Sequence, residues 1–188
     1  LAHVPGIKVV VPATPYEAKG LLISAIREKN PVIFMEPKKV YRAIKEEVPE
    51  EEYMIPIGEA KVVREGNDVT VIGWGAMLKT VNEAVDKIGS KYSVEVLNLR
   101  SLKPLDISAI MRSVKKTGRC VVVQEGPKTL GMAAELTALI NEKVFLSLEA
   151  PVKRVTGYDV PTPLPKLENY YLPNVEKVVT AIEAVMKF

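Results

Sequence analysis

The sequence has very few of the residue types on which several common active sites depend. Its 188 residues include one cysteine and one histidine, too few for an internal disulfide or for the usual zinc site. Cys120 lies in an apolar run, residues 120–123, and is interpreted as a buried core residue of a protein in a reducing cytoplasm. His3 has no serine nucleophile motif near it, and we interpret it as a turn or interface residue rather than as a base.

Long apolar runs and runs of lysine and arginine are missing as well. The longest apolar stretches have the length of short strands, far below the roughly 20 residues of a membrane helix. No signal-peptide pattern is found at the start. The net charge is +3 with both signs interspersed, and aromatic residues make up 6% of the chain. The sequence therefore predicts a cytoplasmic globular protein that associates with neither a membrane nor nucleic acid.

The first part of the chain has the pattern of a βαβ unit. Strands are predicted at residues 7–11 and 32–35, with a helix between them that Thr14 caps, Pro15 opens and Pro31 stops. Such a unit is too small to bury both faces of its sheet. Because the chain also begins without an initiator methionine and runs directly into a strand, we expect further sequence upstream of Leu1.

Residues 36–68 have little periodicity. The segment 46–52 contains five glutamates and a proline, which predicts a solvated linker or crossover, with an acidic patch for a basic partner as the alternative. We expect three regions: residues 1–48 as the end of one α/β domain, 49–68 as a linker, and 69–188 as a second α/β domain.

The second domain is predicted from alternating strands and helices. Strands are expected at residues 69–72, 94–99, 120–124 and 152–155, and helices at 77–88, about 104–117, about 131–141 and 175–186, with a proline-rich covering segment at 160–165. Gly118 is the expected cap of the second of these helices. This alternation predicts an open, largely parallel sheet with right-handed crossovers.

Two segments could bind a ligand. The turn Gly73-Trp74-Gly75 lies between a strand and a helix, like a dinucleotide-binding turn, but Leu78 occupies the position of the third glycine. It is either a plain tight turn or a set of N–H groups that accepts an anion. Glu125 follows a strand at the edge where open α/β sheets bind ligands, either as a functional carboxylate or as an acceptor or interface residue. Composition and spacing thus predict no self-contained active site.

A resemblance covers essentially the whole chain in one colinear order. Its segments are HVPGIKVVVP at residues 3–12, AKGLL at 18–22, NPVIFMEPK at 30–38, YR at 41–42, DVTVIGWG at 68–75, LRSLKPLD at 99–106, TGR at 117–119, QEGP at 124–127, LEAP at 148–151 and RVTGYD at 154–159. They resemble the β subunits of pyruvate and branched-chain 2-oxoacid dehydrogenases, and residues 145–159 look closest to the branched-chain members. The nearest alternatives are the C-terminal domain of another transketolase-like thiamine enzyme and a free-standing ligand-binding or assembly module.

The resemblance implies an α/β fold with a transketolase C-terminal-like domain, preceded by the last βαβ part of a pyrimidine-binding-type domain. It implies an enzyme of two α and two β subunits that uses thiamine diphosphate with Mg²⁺, decarboxylates a 2-oxoacid, and passes the acyl group to lipoyl-lysine. The implied partners are the α subunit, a second β subunit, and the subunit-binding and lipoyl domains of the acyltransferase core. The family's catalytic Glu and His lie upstream of Leu1, and His3 matches a later position. We therefore expect no catalytic or cofactor-binding residue in this portion, which would serve assembly and docking and be inactive alone.

Two sets of family positions can be carried over. Many β subunits bind potassium through carbonyl groups at a helix end that matches Ala25, Ile26, Glu28 and Asn30, and unpaired carbonyls at a helix C-terminus suit a cation. A helix end capped by water is the alternative. Some members dock the acyltransferase through acidic groups and the terminal carboxylate, for which Glu149 and Phe188 are the candidates. The alternative is a loop carboxylate and a frayed end.

Overall fold

The computed structural model describes residues 1–163 and 165–188 and contains two sheets. The smaller sheet has the order β2-β1-β6 and is formed by β1 (Lys8–Val10), β2 (Val32–Phe34) and β6 (Ser101–Lys103). The larger has the order β3-β5-β4-β7-β8 and is formed by β3 (Lys61–Arg64), β4 (Val69–Gly73), β5 (Val94–Asn98), β7 (Cys120–Pro127) and β8 (Lys153–Gly157). The helices are α1 (Pro15–Arg27), α2 (Met77–Ile88), α3 (Ile107–Thr117), α4 (Met132–Val144), α5 (Pro165–Tyr171) and α6 (Val175–Met186).

The predicted α/β fold with a largely parallel sheet is confirmed. In the larger sheet, strands β5, β4, β7 and β8 run parallel to one another, and β3 pairs antiparallel with β5. Both β4 and β5 are buried along their whole length, as expected of strands covered by helices on both faces. Residues of α2 and α6 pack in one core cluster and residues of α3 and α4 in another. None of the described helices has the length and apolarity that crossing a membrane requires.

Local signals place the first βαβ unit where the sequence predicts it. The Thr14 hydroxyl accepts a hydrogen bond from the Glu17 N–H at 3.2 Å, and Pro15 is the first helical residue of α1. The helix ends at Arg27 because Glu28 is extended, ahead of the proline at position 31. Strands β1 and β2 then pair in parallel.

Three elements were not predicted from the sequence. Strand β3 lies inside the stretch that we expected to be a linker, and all four of its residues are exposed. Strand β6 follows Arg100, which has a left-handed φ of 56°, and pairs antiparallel with β1. Helix α5 begins at Pro165, the last residue of the expected covering segment 160–165, of which residue 164 lies outside the described residues. The division at residues 48 and 69 stays a prediction.

A buried ionic network joins the two sheets. Glu17 in the first turn of α1 is 2% exposed. Its carboxylate accepts hydrogen bonds from Arg100 Nε at 2.8 Å, from Asn98 Nδ2 at 2.9 and 3.0 Å, and from the Ala13 N–H at 3.0 Å. The network thereby ties the start of α1 to the segment between β5 and β6.

Candidate functional site

A cleft of about 470 Å³ lies at the carboxyl ends of the parallel strands β4 and β7, where the two sheets meet. Its lining includes Val11, Glu36, Trp74, Gly75, Gln124 and Glu125. Open α/β sheets bind ligands at this edge. The cleft contains both segments that the sequence singled out, the glycine turn and residues 124–127, which form the end of β7 and not a loop beyond it.

The glycine turn is a tight connection between β4 and α2. Gly75 has a φ of 54°, and a β-carbon there would lie 2.8 Å from the Val11 side chain, so the turn requires glycine. The N–H groups of Met77 and Leu78 donate to carbonyls of the turn at 3.2 Å each. Leu78 is 4% exposed, and its side chain fills the space that a dinucleotide fingerprint keeps open. The geometry favours the plain tight turn.

Glu125 lies within β7 and does not follow it as the sequence predicted, because the strand continues to Pro127. The end of the strand is held by Gln124 and not by Glu125. The buried Gln124 amide accepts from the Ala133 N–H at 2.7 Å and donates to the carbonyls of Gly126 and Pro127. None of the side-chain hydrogen bonds within residues 1–163 and 165–188 involves Glu125. Its carboxyl group lies in the cleft, and partial burial raises its pKa, against the opposing effect of Lys39. Glu125 is therefore available to a ligand or a neighbouring subunit.

Glu28, one of the four predicted potassium positions at the end of α1, has a carboxylate that already pairs with a lysine ammonium group. The Glu28 side chain pairs with the Lys8 ammonium and accepts hydrogen bonds from the Lys29 N–H and from the Asn30 N–H and Nδ2. These bonds, led by that from Lys8, lower the pKa of Glu28 to about 2. The Ala25 carbonyl accepts from the Glu28 N–H at 3.3 Å, and the Ile26 side chain is exposed. Potassium binding here stays a prediction.

The two predicted docking residues lie near one arginine. Arg119 Nη1 pairs with the Glu149 carboxylate at 2.5 Å, and Arg119 Nε donates to the Val185 carbonyl in the last turn of α6 at 3.1 Å. Phe188, just beyond that turn, is 78% exposed. Arg119 was not recognised as a functional residue, although it belongs to a segment that carries the resemblance. Because Arg119 already pairs with Glu149, a basic partner would have to share this carboxylate.

The one cysteine and the one histidine of the chain lie outside the sites described above. Cys120 is fully buried, which raises the pKa of its thiol far above the usual range. His3 is exposed in an apolar groove with Leu102, Pro104 and Leu130. Among the described residues, no group of three or more His, Cys, Asp and Glu side chains could hold a metal ion.

Comparison with known proteins connects this architecture to a family. The model of the transketolase C-terminal domain matches residues 58–178, and that of the transketolase pyrimidine binding domain matches residues 1–44. A solved structure titled "Split gene transketolase, inactive beta4 tetramer" superposes with a TM-score of 0.80 at 23% identity, covering 99% of this chain and 59% of that one. At this level of identity the likeness concerns the fold.

Curated relatives are more similar in sequence. The 2-oxoisovalerate dehydrogenase subunit beta of Dictyostelium discoideum is 52% identical over 99% of this chain and 50% of its own length. The pyruvate dehydrogenase E1 component subunits beta of Bacillus subtilis and Acholeplasma laidlawii are 50% and 49% identical, over 100% and 98% of this chain. The chain spans 58% and 57% of their lengths, so it covers little more than half of each relative.

Proposed function

The chain belongs to the transketolase C-terminal domain family, and from this premise we propose that it is part of the β subunit of a 2-oxoacid dehydrogenase. The observation that carries the proposal is the identity of about half of all residues with such subunits along nearly the whole chain. The complete protein would decarboxylate a 2-oxoacid and pass the acyl group to lipoyl-lysine. Its partners would be an α subunit, a second β subunit and the acyltransferase core.

The cofactor of the complete protein would be thiamine diphosphate with Mg²⁺. The two matched domains are those of transketolase, a thiamine-diphosphate enzyme, and one of them is described as pyrimidine binding. Among the described residues no group of three or more His, Cys, Asp and Glu side chains could hold a metal ion, and the resemblance implies that the catalytic Glu and His lie upstream of Leu1. We therefore assign no catalytic step to this portion. We infer that its role is assembly and docking, and that potassium at Ala25, Ile26, Glu28 and Asn30 would be structural.

The proposal is tested by an assay of the full-length protein together with its α subunit, thiamine diphosphate and Mg²⁺. Pyruvate and 3-methyl-2-oxobutanoate are compared as substrates, and reduction of an artificial electron acceptor is measured. Relatives of both substrate classes are about equally similar, so the ratio of the two kcat/KM values assigns the substrate. Ketol transfer between sugar phosphates without turnover of either 2-oxoacid would instead place the protein among the transketolases.

Docking of the acyltransferase core is the more detailed part of the proposal. If Glu149 and the Phe188 carboxylate hold basic side chains of the subunit-binding domain, binding should weaken as the salt concentration rises. Glu149→Gln removes the charge and keeps the shape. Because the Glu149 side chain is more than half exposed and shared with Arg119, we expect a loss under about 1 kcal/mol, as for a rim-exposed pair.

This docking prediction is measured by calorimetric titration of the full assembly with the isolated binding domain. Glu142→Gln, an exposed carboxylate on α4, is the matched control and should leave the affinity unchanged. A variant with one residue added after Phe188 displaces the terminal carboxylate. Equal affinity of all variants and the wild type would contradict the docking assignment without affecting the family assignment.

A further inference from the structure

Strand β8 leaves one edge of the larger sheet open. It is the last strand in the sheet order, and within residues 1–163 and 165–188 it pairs only with β7. Alternate residues of such an edge strand direct unpaired N–H and C=O groups away from the sheet. A groove of about 630 Å³ runs along this edge and is bounded on its other side by α6. An extended chain could therefore add to the sheet here.

The side of α6 that lines the groove has room for a backbone. Lys177, Thr180, Ala181 and Ala184 line it, and their spacing of three and four residues places them on one face of the helix. Three of the four side chains are small. Larger side chains at these positions would fill the space in which an added strand would lie.

Four cations surround the groove: Lys128, Lys153, Arg154 and Lys177. Side chains alternate along a strand, so Lys153 lies on the same face of β8 as the buried Val155, which packs in the α6 cluster. Arg154 lies on the opposite face. An added strand would thus meet positive charge on both of its faces.

Two of these cations are held in position by backbone carbonyls. Arg154 Nη1 donates to the Lys128 carbonyl at 3.1 Å. Lys177 Nζ donates to two carbonyls, those of Tyr170 and Leu172, at 3.1 Å each. It also lies 4.6 Å from the centre of the Tyr158 ring. An ammonium group has three donors, so Lys177 keeps one for a ligand, and its fixed position reduces the entropy lost on binding.

The acidic residues of the groove are already engaged. Asp159 accepts from the Thr129 N–H and hydroxyl at 2.8 Å each, and Glu176 pairs with Lys87. None of the four cations forms an ion pair within the part of the chain that the structure describes. Four cations and two carboxylates line the groove, and Asp159 interacts electrostatically with Lys128, so the groove has a net positive charge beside unpaired backbone groups.

We propose that this groove docks an acidic, extended segment of a partner protein, which adds to β8 as a further strand. Backbone hydrogen bonds to the β8 edge would supply affinity, and the four cations would select glutamate or aspartate side chains. Unpaired strand edges favour a peptide over a free phosphate or a lipid headgroup, which need no strand. The inference does not depend on the proposed enzymatic activity, and it concerns a surface of opposite charge to the Glu149 docking site.

The test measures fluorescence anisotropy of a short labelled peptide, rich in glutamate with interspersed valine, on the full-length protein in its native assembly. Comparison peptides carry lysine in place of glutamate, or N-methyl groups on alternate backbone nitrogens. The variant is Lys153→Glu with Arg154→Glu. Lys143→Glu is the control, because Lys143 is an exposed lysine on α4 outside the groove. Circular dichroism checks that each variant is folded.

We expect saturable binding of the acidic peptide, weakened roughly tenfold or more by the double variant and by N-methylation, and unchanged by Lys143→Glu. If Lys143→Glu weakened peptide binding as much as the double variant, the effect would come from the net charge of the protein and not from the groove, and the proposal would be overturned. Undiminished binding of the N-methylated peptide would exclude strand addition and also overturn it. So would the absence of peptide binding, including the case in which anionic vesicles or inorganic phosphate bind instead, since the cations on β8 would then only protect its edge.

Discussion

At the scale of single residues, the buried carboxylate of Glu17 connects the two sheets through its bonds with Asn98 and Arg100. It is almost fully buried and pairs with Arg100, whose side chain is 11% exposed. A buried pair of this kind contributes little net stability, but removal of one partner leaves an uncompensated charge. The sequence did not reveal this pair. Its members are 83 residues apart along the chain, and in the sequence Glu17 has only the pattern of an acidic residue in the first turn of a helix.

We predict that Glu17→Gln lowers the free energy of unfolding by about 3 to 5 kcal/mol, because Arg100 loses its counter-charge and the Gln NH2 group faces N–H donors that the carboxylate accepted. Urea denaturation followed by circular dichroism measures the change. The double variant Glu17→Met with Arg100→Met should be less destabilised than the single variant. Asp86→Asn, which breaks the exposed pair with Arg64, should cost under about 1 kcal/mol. A loss for Glu17→Gln no larger than this control would contradict the prediction.

A second buried carboxylate makes stability depend on pH. Burial alone would raise the pKa of Glu95, but hydrogen bonds from Lys116 and Ser113 outweigh it and hold the pKa below its usual value. The same contact with Glu95 raises the pKa of Lys116. A depressed carboxylate stabilises the fold above its unfolded pKa of about 4.3, and a raised lysine does so below about 10.4.

We therefore predict that the stability difference between wild type and Glu95→Gln is largest between these two pH values. It should shrink as the pH falls below about 4.3 toward the folded pKa of Glu95, and as the pH rises above about 10.4 through the raised pKa of Lys116. Urea midpoints at a series of pH values measure it, with Glu142→Gln as the exposed control. A difference independent of pH would show that packing, not ionisation, is responsible.

At the scale of elements, those with local signals were predicted and those made by distant partners were not. Thr14 and Pro15 fix the start of α1, and Gly118, with a φ of 67°, fixes the end of α3. By contrast, β3 is exposed along its length and is a strand because β5 accepts it as an antiparallel neighbour. Strand β6 similarly requires β1 and the left-handed Arg100. The partner strands β5 and β1 were predicted, but their pairing with β3 and β6 is not visible in the local sequence pattern.

The C-terminal end of α1 carries the potassium prediction. The Lys8 ammonium already occupies a cation position there, beside Glu28, so it would compete with a metal ion. We predict that KCl raises the melting temperature of the complete protein above its value in LiCl of equal ionic strength. The stabilisation would be about 1.4 kcal/mol at ten times the Kd. Lys8→Met should enlarge this difference by removing the competitor. Identical melting temperatures in the two salts for both proteins would contradict a site at this helix end.

At the scale of the whole molecule, the fold class and the family were predictable, whereas the contacts at the candidate site were not. The colinear segments from residue 3 to residue 159 identified a transketolase-type chain, which the matched domains confirm. In the structure Arg119 pairs with Glu149 and Lys8 pairs with Glu28, so each of the two predicted sites already contains a basic side chain. Each of these partners lies on a different element from its carboxylate, so spacing alone could not place them together.

We predict that the 188-residue chain mixed with its α subunit does not decarboxylate 2-oxoacids. The resemblance implies that the catalytic Glu and His lie upstream of Leu1. The measurement is 2-oxoacid-dependent acceptor reduction, compared with the α subunit alone and with the full-length pair as the positive control. Turnover above that of the α subunit alone would contradict the prediction, because the 188 residues would then contain the catalytic groups.

The pairing of β6 with β1 has a consequence for the order of events during synthesis. Val9 pairs with Lys103, so the smaller sheet is completed by residues that the ribosome adds long after β1 and β2 have emerged. At typical synthesis rates the first βαβ unit, complete at Phe34, waits roughly 3 to 14 seconds with the edge of β1 unpaired. Exposed edges of this kind attract other chains. The nascent chain is therefore most prone to misassembly in the interval before Lys103 is translated.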